Sequence, residues 1–64
     1  MSFGSSGDRD LADLLFKKKE FGSAKVQYTE CLEKTREYNS GNKQLIEYLE
    51  MKIKECEEHQ RKGK

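Results

Sequence analysis

From Phe21 to Tyr38 the side chains of Phe21, Ala24, Tyr28, Cys31, Thr35 and Tyr38 recur at alternating steps of three and four residues. That spacing is the signature of one face of an α-helix, and Leu32 widens the face. No proline interrupts the chain, and no segment of strand period competes. The pattern predicts an all-α fold. A second stripe of Ile46, Leu49, Ile53 and Cys56, flanked by Leu45, predicts a helix from about Lys43 to Gln60. A shorter helix runs from Asp8, a good N-cap, to about Lys18. Leu11, Leu14 and Leu15 lie on one of its faces, and Ala12 and Phe16 on the adjoining stripe. Asp10 favours the positive end of that helix's dipole.

The connections are short. Between the first two helices, either Gly22 is a left-handed stop with Ser23 capping the next helix, or the second helix starts near Glu20 and carries Gly22 in its first turn. The run Asn39-Ser40-Gly41-Asn42 closes the second helix, Gly41 suiting a left-handed position and Asn42 the next N-cap. Glu30 and Lys34, Glu50 and Lys54, and Glu58 and Lys62 are spaced as helix-supporting pairs. Short links make sequential helices antiparallel neighbours, so an up-down-up bundle is expected. Its expected organisation is a flexible segment 1–7, a three-helix domain 8–60 and a basic tail 61–64. Phe3 is not needed for that fold. The expected core is Leu11, Leu15, Phe21, Ala24, Tyr28, Cys31, Leu32, Ile46, Leu49 and Ile53, which is thin.

Composition narrows function. With 39% charged residues, 33% apolar residues and a mean hydropathy of −1.09, no run is apolar enough to cross a membrane. The N-terminus lacks the layout of a secretion signal, so an intracellular, cytoplasmic protein is expected. Cys31 and Cys56 lie far apart without Cys-x-x-Cys spacing and read as reduced, half-buried core thiols. A net charge of +1 supplies no overall field for nucleic acid or anionic lipid. Arg9, Lys17, Lys18, Lys19 and Lys25 could still gather into a basic patch near Phe16, Phe21 and Tyr28; steep weakening with salt would reveal nucleic-acid binding there.

The means for catalysis are poor. His59 is the one histidine, and it reads as a solvated side chain near the C-terminus. With Cys56 it would offer zinc two ligands, and Cys31 would have to join from another helix. Nothing supplies a nucleophile, base and orienting group together. Neither enzymatic activity, a metal nor a cofactor is expected. The surface is more informative: Glu30, Glu33 and Glu37 form an acidic stripe along the second helix. A groove between helices 2 and 3, with Leu32, Ile46, Leu49 and Ile53 as floor and those glutamates as rim, would suit a basic amphipathic segment of a partner protein. The rival expectation is self-association as a homodimer or larger species through Tyr48 and Met51, which lie off the inner stripe.

Leu11-Ala12, Leu15-Phe16, Phe21, Ala24, Tyr28, Cys31 and Leu32 resemble the helical hairpin of a tetratricopeptide repeat (TPR). In that family small residues on the two helices pack together, and Ala12 and Ala24 hold those positions. The family's usual glycine before the turn is Lys19 here, and its closing proline is Arg36. Arg9 and Asp13 fall where some members hold a carboxylate with lysine and asparagine; the acidic Asp13 argues against that activity. A lone repeat needs a neighbour to cover it, which residues 43–60 could supply, as a capping helix does. Lys19-Glu20-Phe21-Gly22-Ser23-Ala24, Tyr28 and Leu45-Ile46-Glu47-Tyr48-Leu49-Glu50 also resemble the three-helix microtubule-interacting and trafficking (MIT) domain. That resemblance would imply helical tails of membrane-remodelling subunits bound between helices 2 and 3. Against it, helix 1 is short for the family and the connection between helices 2 and 3 is tight. Both resemblances imply an antiparallel TPR/MIT-like three-helix bundle acting as an adaptor, either as a complete domain or as a piece of a longer repeat array.

Overall fold

The computed structural model describes residues 9–62, so Phe3 and the expected cap Asp8 lie outside the described residues. The fold is an all-α three-helix bundle, with α1 spanning Arg9–Lys17, α2 Phe21–Tyr38 and α3 Lys43–Lys62. The helix α3 thus continues two residues past the expected Gln60. Its neighbours run antiparallel in sequence order. The end of α1 meets the start of α2 through Phe16 and Phe21, and the start of α2 meets the end of α3 through Phe21 and His59. The helix α2 is central: α1 and α3 each pack along it. The assembly is thin, with Cα extents of 36 × 30 × 13 Å.

The core consists of Ala12, Ala24, Tyr28, Leu32, Leu49 and Cys56, with Leu15, Phe16, Phe21, Cys31, Leu45, Ile46, Tyr48 and Ile53 packed against it. Ala12 and Ala24 are wholly buried, and their small side chains let α1 and α2 approach closely. On α1 this moves the buried stripe away from Leu11 and Leu14, which are 42% and 49% exposed. The expected core position of Leu11 is therefore corrected. Ala12 takes the place against α2, and a bulky leucine there would hold the helices apart. Cys56 is fully buried rather than half-buried, while Cys31 is intermediate, and both are free thiols. Burial pushes the Cys56 thiol above its ordinary pKa.

The first connection settles the two alternatives for Gly22. The N–H of Glu20 donates to the Leu15 carbonyl and that of Lys19 to the Phe16 carbonyl, both at 2.9 Å. These two bonds form a Schellman motif, with Lys19 as its left-handed residue at φ 67°. Gly22 falls within the first turn of α2, where an added Cβ would come 3.2 Å from Gln60 Nε2. A left-handed lysine is strained because its Cβ crowds the backbone. Lys19→Gly is therefore expected to raise stability by about 0.5–1 kcal/mol and the melting midpoint by roughly 3–8 °C. An unchanged or lower midpoint in thermal circular dichroism would contradict this origin of strain.

The second connection follows the sequence in part. Asn42 caps α3, its Oδ1 accepting from the Leu45 N–H at 3.3 Å. Gly41, however, is not left-handed, and a Cβ there would meet nothing within 4 Å. The turn closes instead through the Asn42 N–H donating to the Asn39 carbonyl at 3.0 Å. Within α2, buried Thr35 returns its hydroxyl to the Cys31 carbonyl at 2.8 Å. The ion pairs recorded among the described residues are Lys25–Glu57 at 3.0 Å, joining α2 to α3, and Lys52–Glu55 at 3.7 Å. They are not the three pairs expected from spacing. No helix among the described residues is long and apolar enough to cross a membrane.

Candidate functional site

The side chain that ties the three helices together is Asp13. Its Oδ1 accepts a hydrogen bond from the Tyr28 hydroxyl on α2 and another, at 2.8 Å, from the Tyr48 hydroxyl on α3. Tyr28 is fully buried, so its hydroxyl needs such a partner. Burial, followed by the Asp13 hydrogen bond and charge, pushes the Tyr28 phenol far above its ordinary value of 10.0. The same causes raise Tyr48. An ionised phenol beside a carboxylate would exchange a hydrogen bond for repulsion, so both phenols stay protonated as donors.

Aromatic rings extend this clasp along the junction of the helices. Phe16 stands edge-on to Phe21, Tyr28 and His59, with centroid distances of 5.2, 6.4 and 5.7 Å. His59 lies flat on Phe21, centroids 4.3 Å apart and planes within 5°. The expectation of a merely solvated histidine is thus corrected: the residue is exposed, but its ring packs on the cluster. The Lys52 ammonium sits 3.6 Å from the centre of the Phe16 ring, an attraction between the cation and the negative face of the ring. The Arg9 guanidinium lies 6.0 Å from the Tyr48 ring.

Because α1 and α3 flank α2 on the same side, an open groove runs between them above Tyr28. One depression of about 370 Å³ is lined by Asp13, Leu14, Phe16 and Lys17 of α1, Tyr28 of α2, and Tyr48 and Lys52 of α3. A second, of about 300 Å³, continues toward the start of α3 past Arg9, Asn42, Gln44 and Leu45, with Tyr48 shared by both. The groove thus combines an aromatic floor, an exposed leucine and the cations Arg9, Lys17 and Lys52. Asp13 is held by the two phenols.

The residues expected to form a groove between α2 and α3 do not converge on one surface. Leu32 and Leu49 are buried, Leu49 completely, while Ile46 and Ile53 are half-buried against the core. Glu30 is half-buried, and Glu33 and Glu37 are exposed. At about 100° per residue, these glutamates and Val26 fall roughly 140–200° round α2 from Tyr28. They occupy the helix's outer face. The shallow surface containing Glu30 and Glu33 is lined by Lys25, Val26 and Thr29, all from α2.

The groove between α1 and α3 is not encoded in the period or spacing of the sequence. By helical period Tyr48 lies off the inner stripe of its helix, whereas the structure half-buries it against the core. The available signal was an acid on the short helix with tyrosines on the other two. Among the described residues, no group of three or more His, Cys, Asp or Glu could hold a metal ion. Compared with protein families, with curated proteins and with solved structures, the chain matches none.

Proposed function

We propose that the chain is a non-enzymatic protein-interaction module that holds a helical or extended segment of a partner protein in the groove between α1 and α3. The observation that carries this reading is the groove itself, an open trough to which all three helices contribute. Its aromatic floor offers contact area, the half-exposed Leu14 an apolar anchor, and its cations orient polar groups. Its floor is held in place by the Asp13 clasp, so little order need be acquired on binding.

A TPR-like reading of α1 and α2, with α3 as the helix that follows, fits the same features. Buried Ala12 and Ala24 support it, as does the left-handed turn residue Lys19. In this reading the partner surface moves from the α2–α3 side to the α1–α3 side. Leu32 and Leu49 then serve as core, and Glu30, Glu33 and Glu37 belong to a separate surface.

Peptides selected from a random display library on the folded chain provide the test. Leu14→Glu places a charge at the groove without entering the core, and it is expected to weaken the selected peptides at least about tenfold, a loss of about 1.4 kcal/mol. Undiminished binding to a normally helical Leu14→Glu chain would contradict this placement.

A further inference from the structure

The groove is rimmed by cations, and the outer side of α2, beside Lys25, carries a stripe of acids at similar spacing. On the groove side, Arg9 and Lys17 stand eight residues apart on α1, about 12 Å at the helical rise. Lys52 faces them from α3. On the outer side of α2, Glu30 and Glu37 stand seven residues apart, about 10.5 Å, with Glu33 between them. Val26, 52% exposed, projects from the same outer face one turn before Glu30. We propose that the groove of one copy receives the outer face of α2 from a second copy. Glu30 lies against Lys17 and Glu37 against Arg9, with Glu33 between them, and Val26 falls about 6 Å beyond Glu30, past the Lys17 end of α1.

The contact joins two different surfaces, so each copy retains a free groove at one end and a free acidic face at the other. Such heterologous contacts propagate into rings or open chains rather than stopping at a dimer. The proposal rests on the groove being an open docking surface, as in the proposed function, and it names this chain itself as one occupant. A partner segment and a second copy would then compete, so binding a partner would disassemble the chains.

Exposed charge pairs are individually weak and are screened by salt. Self-association is therefore expected at low ionic strength and high protein concentration. Three such pairs, each worth about twofold, make it about tenfold weaker in high salt. Sedimentation velocity on the full chain reads this directly, using two charge-reversed variants whose helicity is checked by circular dichroism. One carries Arg9→Glu with Lys17→Glu, and the other Glu33→Lys with Glu37→Lys, all at exposed positions. The wild type is expected to form salt-sensitive species larger than a dimer. Each variant alone repeats one sign on both faces and is expected to remain monomeric.

A second pair of variants supplies the positive arm. Leu14→Glu puts an acid in the groove against the acidic face, and Val26→Lys puts a cation on the outer face against the basic rim, so each alone is expected to be monomeric. Mixed in equal amounts they retain one intact groove and one intact outer face, so dimers and nothing larger are expected. A wild type that stays monomeric at low salt overturns the proposal while leaving the groove free for another protein. Oligomers that survive in all four folded variants also overturn it, as does a mixture of Leu14→Glu and Val26→Lys that fails to pair. Peptide binding by the monomer, measured separately, decides the groove reading on its own.

Discussion

Replacing Leu49 by alanine is expected to cost about 2–5 kcal/mol, the usual range for removing a buried leucine. Leu49 has no exposed surface and sits where α3 meets the central helix. A chain of this length has roughly 3–10 kcal/mol of stability in all. Leu49→Ala is therefore expected to remove a large share of the stability, and Leu49→Asp to unfold the chain outright, because an unpaired buried carboxylate adds its own penalty. Denaturant titration followed by helical circular dichroism measures both. A folded Leu49→Asp chain that had merely lost partner binding would instead return Leu49 to a docking surface.

The second large effect lies at the clasp. Tyr28→Phe keeps the ring and removes the hydroxyl that donates to Asp13, with an expected cost of about 1.5–3 kcal/mol at neutral pH for a hydrogen bond to a charged group. The pH dependence has a definite sign. Folding raises the Tyr28 and Tyr48 phenols above the ordinary 10.0, so above that value the unfolded chain releases phenolic protons that the folded chain retains. The stabilisation is complete well below pH 10 and declines as the pH rises further, at a limiting rate of about 1.4 kcal/mol per pH unit for Tyr28, with a further contribution of the same sign from Tyr48. Tyr28→Phe should remove the contribution of one phenol to that slope. Equal alkaline slopes for wild type and variant would contradict the clasp.

Much of the fold was legible because helical period survives without knowledge of partners. The stripe from Phe21 to Tyr38 and the one from Ile46 to Cys56 both identify real helices, and Asn42 caps α3 as its chemistry suggests. The phase of α1 was harder to read. Leu11 and Leu14 look like core residues because they are large and apolar. The packing is decided instead by the close approach of Ala12 and Ala24, which bury fully. Turn glycines misled in a similar way. The left-handed residue is Lys19, whose strain is offset by the packing of Phe16 on Phe21 across the turn, while Gly41 is not left-handed at all.

The candidate groove was legible only in pieces. Arg9, Lys17 and Lys52 read singly as solvated charges, and Asp13 as an obstacle to a bound carboxylate. Their meaning depends on the lateral placement of α1 and α3 over Tyr28, a long-range relation that period and spacing do not encode. Glu30, Glu33 and Glu37 did read correctly as one stripe. Their place opposite Tyr28 follows from the helix angle, which puts them behind the apolar face rather than beside it.

The central claim concerns which face receives a partner. Backbone amide chemical shifts of the isotope-labelled chain, recorded while a display-selected peptide is added, test it most directly. Perturbations concentrated at Leu14, Lys17, Tyr48 and Lys52, with the outer face of α2 from Val26 to Glu37 little changed, are the expected result. Perturbations confined to that outer face, with the α1–α3 groove silent, would contradict it.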